Sequence, residues 1–392
     1  MAYAEPDLLG QEYSIALQVP DPKQYFFHDP GLTRTPTGTL IVAGPEWYRP
    51  TNAERYGEAD RKLRIARSTD GGASWTESDS LPYQEGTPFV LDGRLFMFVQ
   101  HASHCDFTLV ESVDDGVTWS DPVTVLEGHM WSISLPRVVR HDYVFWAVDV
   151  DIDANHYQGK AMARLDRRGE VMDPASWSLS NIVAEPEVPS LLTRTVHPNT
   201  GWRQPLTWLE PNTVDVDGRI RVFTRCVIDS QSTPNIAAVL DYDPESHHLA
   251  MSQFAGWPGG QLKFFIVDDR QSGLYWMLSN LATNSQNLVR WDPDELSRLS
   301  GWLADERRWL FLHYSLDCLN WFPAGCVARW PDTLRRSFMY PSAVVDGDDL
   351  VFLSRTSRDS DDRHDADLCT VHRIRDFRSR ALDLRRGHRL LQ

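Results

Sequence analysis

Hydrophobic and polar residues alternate with a period of two along most of the chain, and short polar turns cut the alternation at regular intervals. The phrase apolar strand, tight turn with glycine, apolar strand recurs as LTRTPTGTLIVAG (32–44), FVLDGRLFMFV (89–99), VDVDGRIRVFT (214–224), FIVDDRQSGLYWML (265–278) and AVVDGDDLVFL (343–353). RVVRHDYVFWAV (137–148) is a further copy without the glycine. Asp-Gly between alternating apolar residues is a strong hairpin signal, because a turn with φ > 0 matches the twist of the strands it joins. Six hairpins are therefore predicted.

A second strand pair follows each hairpin. KLRIARSTDGGASWTE and FTLVESVDDGVTWSD carry the same turn, Ser68-x-Asp70-x-Gly72-x-x-Trp75 and Ser112-x-Asp114-x-Gly116-x-x-Trp119. WLFLHYSLDCLNWFPA keeps Ser315, Asp317 and Trp321 but is one residue short. KAMARLDRRGEVMDPASWS and IAAVLDYDPESHHLAMS are divergent versions, and ADLCTVHRIRDFRS holds only one strand. Ser and Asp side chains cap backbone N–H groups in such a turn, Gly supplies φ > 0, and Trp packs beneath. Segment 295–307 is at most a short helix in a loop. Repeated four-strand units predict an all-β fold, a six-bladed β-propeller of four-stranded antiparallel blades. It is read as one domain over 1–392, with blades near 25–78, 84–122, 132–180, 205–252, 262–324 and 337–378.

The 392 residues carry 39 Lys plus Arg against 55 Asp plus Glu, a formal charge of −16. Nucleic acids and anionic membranes need a basic footprint, so neither is an expected partner. An anionic small substrate stays open, because a local arginine cluster can dominate a pocket. No apolar run is long enough to span a membrane. The start MAYAEPDLLGQEYS has no basic and apolar leader pattern, and five cysteines lie scattered without CxxC spacing. These features lead to the expectation of a cytoplasmic protein with reduced thiols. No cofactor or metal is expected. DSDDRHDAD (359–367) lacks the calcium-loop pattern, and HASH (101–104) offers two histidines without a third ligand.

The repeated turn is the Asp-box, and on this motif the chain resembles the sialidase (neuraminidase) superfamily of six-bladed propellers. Asp-boxes also occur in propellers with other activities, so the motif speaks to fold before activity.

In each blade the glycine turns and the Asp-boxes lie at one end. The starts of the first strands, and the loops between second and third strands, lie at the other. Long irregular connections, 45–61, 101–106, 149–159, 226–235, 279–306 and 354–366, gather at that second end, where function usually sits. His28, ten residues before Gly38, Glu210, eight before Gly218, and Tyr340, seven before Gly347, open first strands. Arg225 and Arg355 close second strands, and Arg307 opens a third. Strand phase thus brings three arginines, a glutamate, a tyrosine and a histidine to one face. Each also has a bland reading: a core tyrosine bonded to backbone, a solvated strand end, arginines paired to acidic loops, a turn histidine.

WLEPNTVDVDGRIRVFTR (208–225) is similar to the sialidase segment in which a Glu opens one strand and an Arg closes the next. The resemblance implies that Glu210 activates a tyrosine and Arg225 grips a substrate carboxylate. MYPSAVVDGDDLVFL (339–353) resembles the segment of the nucleophilic Tyr, which implies that role for Tyr340. RRWLFLHYSLDCLNW (307–321) resembles the segment of a second carboxylate-binding Arg, matched by Arg307 with Arg308 as the register alternative. Sialidases open on Phe-Arg-Ile-Pro; here FHDP (27–30) puts His28 in the arginine position, so the carboxylate clamp is altered. The family's general acid is an Asp on the first long loop, which implies Asp60 here, with Glu46 as the next choice. Trp47, Trp202 and Trp208 fall near the same face and either stack on sugar rings or pack in the core. Gly259 and Gly260 let a backbone or a sugar approach near Lys263.

The expected activity is a retaining, sialidase-like exo-glycosidase on an acidic terminal sugar of a glycan. A neutral phenol attacks an acid-bearing anomeric carbon without the repulsion a carboxylate would meet. A polysaccharide lyase or an unusual hydrolase on uronic-acid glycans, and a non-catalytic carbohydrate-binding propeller, remain the alternatives.

Overall fold

A computed structural model describes residues 7–49, 61–101, 105–131, 136–151, 159–187, 207–227, 235–281, 306–330, 335–360 and 362–382. They form six antiparallel sheets, the blades of a six-bladed propeller. Five blades follow chain order. The sixth takes its three inner strands from Ser337–Asp346, Asp349–Ser357 and Leu368–Ile374, and its outer strand from the other end of the chain, Tyr13–Gln18. Tyr13 pairs with His372 and Gln18 with Leu368. This is why ADLCTVHRIRDFRS carries no partner strand of its own: the ring is closed by pairing first strand to last.

The hydrophobic halves of the strands face neighbouring blades. One core cluster joins Phe98 and Phe107 of the second blade to Trp146 and Trp177 of the third, and another joins Trp276 and Leu312 of the fifth to Phe338 and Phe352 of the sixth. The repeated turns do what their residues suggest. Gly72 and Gly116 donate their N–H to Ser68 Oγ and Ser112 Oγ, each at 2.8 Å, while Asp70 and Asp114 accept from the backbone of Ser74 and Thr118 at 2.9 and 2.8 Å. In the shortened copy, Asp317 accepts from Leu319 and Asn320. Trp75 donates its indole N–H to Ser14 Oγ at 2.9 Å, which ties the first blade's turn to the closing strand.

Closure has a titratable pin. His372 is buried, stacked on Phe352 at 4.6 Å, donates from Nδ1 to the Gly10 carbonyl at 2.7 Å and accepts from Thr370 Oγ1 at 2.8 Å. Burial lowers its pKa from 6.5 to about 4, so the folded ring stays neutral where an unfolded one protonates. Between pH 6.5 and about 4 the unfolded chain binds more protons, and stability falls as pH falls through that window. His372→Gln is expected to flatten the dependence of melting temperature on pH between those limits, measured by thermal unfolding in a buffer series. An unchanged slope would show that His372 does not carry it. His313, also buried and lowered to about 4, adds a slope of the same sign.

Prolines break the ladders at one end of the ring. In the first blade the inner strand is split into Tyr25–Phe27 and Gly31–Arg34, both paired to Leu40–Tyr48, with His28, Asp29 and Pro30 between them. In the fourth blade the register slips between Leu209 and Asn212, around Glu210 and Pro211. In the sixth it slips between Met339 and Ser342, around Tyr340 and Pro341. Proline has no N–H for the ladder, and the extra residues of a bulge re-aim the side chain before it. Among the described residues no helix is long and apolar enough to cross a membrane.

Candidate active site

Glu210 and Tyr340 share one local device. Each precedes a proline, each sits in a bulge, and each has a left-handed backbone, φ +61° and +51°. Side-chain residues before proline rarely adopt that region, and such strain persists where the surroundings hold it in place. Both are 4 % exposed.

Tyr340 lies among cations. The guanidinium carbon of Arg355 is 4.0 Å from its ring centre, that of Arg307 is 5.2 Å away, and Lys263 Nζ is 5.2 Å away. Among the described residues no group hydrogen-bonds its hydroxyl, in contrast with the core-tyrosine reading. Arg355 is fully buried and spends Nη1 on the His28 carbonyl at 2.5 Å and Nη2 on the His364 carbonyl at 2.6 Å. It therefore braces the tyrosine and the first blade. Arg307 also points Nη1 at Met339 Sδ, 3.4 Å away.

Glu210 Oε2 is 2.9 Å from Arg225 Nε. Below it, the Glu210 N–H donates to Asp149 Oδ2 at 2.8 Å, and Asp149 Oδ1 meets Lys160 Nζ at 2.7 Å, both side chains fully buried. Lys160 also donates to the Trp208 carbonyl at 2.8 Å. Burial raises the Asp149 pKa and lowers that of Lys160, each opposed by the other's charge. Lys263 donates to both oxygens of Asp29, at 2.5 and 2.6 Å. Burial pulls the Lys263 pKa down, but Asp29, Glu210 and Tyr340 together hold it above the usual lysine value. The lysine thus stands between the first, fourth and sixth blades. Gly259 and Gly260 allow this: a Cβ on either would lie 2.1 Å from a backbone carbonyl oxygen, of Asn280 and Ile236 respectively.

His28 turns toward the second blade, with Nδ1 at 2.5 Å from Glu85 Oε1. Its ring stacks on Trp47 at 4.1 Å and meets the edge of Trp131 at 5.4 Å. Trp47 is buried, donates to the Gln84 carbonyl at 2.8 Å and carries Arg61 4.2 Å from its ring centre, so it is a platform for His28. Glu46, its neighbour, faces the opposite side of the strand. It is 1 % exposed and paired with Lys62 at 3.0 Å and Arg64 at 2.7 Å, in a network that extends to Glu77. Trp208 is fully buried in the core between the third and fourth blades. Arg308 pairs with Glu306. Asp60 and Trp202 lie outside the described residues.

The ring of first-strand starts is larger than the three residues read from sequence. Glu85 precedes Gly93 by eight residues, as Glu210 precedes Gly218, and Lys263 precedes Gly273 by ten, as His28 precedes Gly38. Together with Trp131, each of the six blades contributes one side chain from this level. The same phase rule, applied to every blade, finds Glu85 and Lys263. Asp149 ends a second strand, as Arg225 and Arg355 do.

No family model and no curated protein sequence matches the chain. Solved structures do. Trypanosoma rangeli sialidase bound to an inhibitor aligns over 90 % of this chain and 55 % of its own, with TM-score 0.55 and 12 % identity. The same sialidase with sialic acid gives 90 %, 54 %, 0.52 and 12 %. A mutant alpha-L-arabinofuranosidase from Fusarium graminearum, bound to an iminosugar inhibitor, aligns over 93 % of this chain and 98 % of its own, with TM-score 0.52 and 12 % identity. This chain spans about half the length of the sialidase chains it matches. At such identity these likenesses establish the propeller and nothing finer.

Proposed function

We propose that this protein is a retaining glycoside hydrolase, with Tyr340 as nucleophile and Glu210 as its base, acting on an acidic terminal sugar. The observation that carries the reading is the environment of Tyr340: a hydroxyl free of described partners, on a ring surrounded by Arg355, Arg307 and Lys263. Fixed cations stabilise the negative charge that develops on a phenol oxygen as it gives up its proton, and they require no reorganisation at that moment. Glu210, anchored through its own N–H and held by Arg225, accepts that proton. Arg225, Arg307 and Lys263 give the hollow a positive side for a sugar carboxylate; guanidinium suits its paired oxygens. Fold neighbours that include sialidases and an arabinofuranosidase support a glycosidic bond as the target.

The test is a panel of 4-methylumbelliferyl glycosides of N-acetylneuraminate, glucuronate, arabinofuranose and galactose. Turnover is expected on an acidic member, with proton NMR showing the first product in the starting anomeric configuration. Glu210→Gln is expected to lower that turnover by about 10²–10⁴-fold, the usual weight of acid–base assistance. An inverted product, or preference for the neutral members, overturns the mechanism or the sugar class respectively. A product that absorbs near the ultraviolet edge through a new C=C identifies a lyase instead.

A further inference from the structure

A glycosidase must protonate its leaving oxygen and later deprotonate water, and the carboxylates Glu46, Asp29 and Glu210 are each engaged, Glu210 as the base of Tyr340. Glu46 is locked by Lys62 and Arg64, Asp29 by Lys263, and Glu210 faces Arg225. His28 is built differently. Its backbone is pinned at both ends, by its N–H donating to the Pro45 carbonyl at 2.8 Å and by its carbonyl accepting from Arg355. Its ring is held between Trp47, Trp131 and Glu85. With Nδ1 bound to Glu85, the other nitrogen, Nε2, has no partner among the described residues. His28 also lines a hollow with Asp29, Glu85, Thr87, Gln100 and Trp131, with room for about one water molecule.

We propose that His28 is the acid–base residue of this site, with Glu85 as the group that positions it. This rests on the glycosidase reading. In the first half-reaction, Tyr340 Oη bonds to the anomeric carbon and passes its proton to Glu210. The bond to the leaving oxygen breaks, and that oxygen takes the proton from Nε2 of the imidazolium. In the second, the neutral Nε2 accepts a proton from water as the water oxygen bonds to the anomeric carbon. The bond to Tyr340 breaks, and the phenol oxygen recovers its proton from Glu210. Protons and bonds balance without a further reactant.

The surroundings favour this cycle. A carboxylate on Nδ1 fixes the tautomer and stabilises the imidazolium, and an indole face stabilises a stacked cation. Among the described residues, the charged groups facing His28 are Glu85 from the second blade, Asp29 with its Lys263 beside it, Arg355 on its carbonyl, and Arg61 behind Trp47. Burial raises the Glu85 pKa, and the His28 side chain bonded to it opposes the rise.

The experiment compares wild type, His28→Gln and Glu85→Gln on two glycosides of whichever panel sugar is cleaved, one with a 4-nitrophenyl and one with a methyl leaving group. All proteins are first matched by circular dichroism and melting temperature. His28→Gln is expected to lose about 10²–10⁴-fold on the methyl glycoside, which needs protonation. Formation of the glycosyl-enzyme from the nitrophenyl glycoside should fall less than tenfold, and added azide should restore turnover with a glycosyl azide as product. Glu85→Gln should give the same pattern in weaker form, with a shifted alkaline limb of the pH profile. Equal losses on both glycosides, without azide rescue, reduce His28 to a structural residue. No loss on either assigns the proton to another group, Asp60 included. Turnover that survives Tyr340→Phe removes the tyrosine nucleophile, and wild type that cleaves no glycoside of the panel removes the glycosidase reading itself, both independently of the leaving-group pattern.

Discussion

Tyr340→Phe is expected to abolish turnover, by 10⁴-fold or more on the order-of-magnitude scale of lost nucleophiles, and to leave the protein as stable as before. The two halves of this expectation have separate causes. Phenylalanine keeps the ring that Arg355 covers at 4.0 Å and that Met339 and Ala366 pack against. The lost hydroxyl bonds no described residue, so no buried polar partner is left unsatisfied. The attacking oxygen, however, is gone, and nothing adjacent replaces it. Binding of the cleaved sugar's methyl glycoside, followed by calorimetry, should change less than tenfold. Turnover within tenfold of wild type would refute the nucleophile and with it the proposed mechanism.

Lys160→Met should be the most destabilising single change near the site. Lys160 and Asp149 are a fully buried ion pair 2.7 Å apart, and Asp149 also accepts the Glu210 N–H. Removing the lysine leaves a buried carboxylate without its counter-charge, which typically costs about 3–5 kcal/mol. For a domain of this size that corresponds to a fall in melting temperature of about 4–6 °C. Adding Asp149→Asn should recover most of it, because the amide oxygen still accepts from Glu210 and no buried charge remains. Activity should not recover in parallel if the pair also orients Glu210. A single variant as stable as wild type would show that the pair is not the keystone of the fourth inner strand.

Much of the scaffold was legible because its signals are local. A hairpin is announced by its own turn, and the Ser, Asp, Gly and Trp of the repeated turns lie within nine residues of one another. Six such units read as a propeller, and the six sheets are there. Strand phase also put His28, Glu210, Tyr340, Arg225, Arg307 and Arg355 at one end, since period and hairpin length fix which end a residue reaches. Phase was less informative about partners. Glu46 and Trp47 are sequence neighbours on the same strand, yet alternation sends one into a salt-bridge network and the other under His28. Strand phase made Arg355 a candidate substrate-binding residue, and its guanidinium is bonded to two carbonyls.

The amino-acid sequence by itself determined the repeat, the strand order within each blade and the level at which prolines interrupt the inner strands. Only the tertiary structure decided which blade closes the ring, through Tyr13–Gln18 pairing with Leu368–Ile374, and which charges meet. Asp29 and Lys263 are 234 positions apart in the chain, and Arg355 reaches the His28 carbonyl across 327. Pairings at such separation leave no mark in local pattern, because they depend on how six twisted sheets close around one axis.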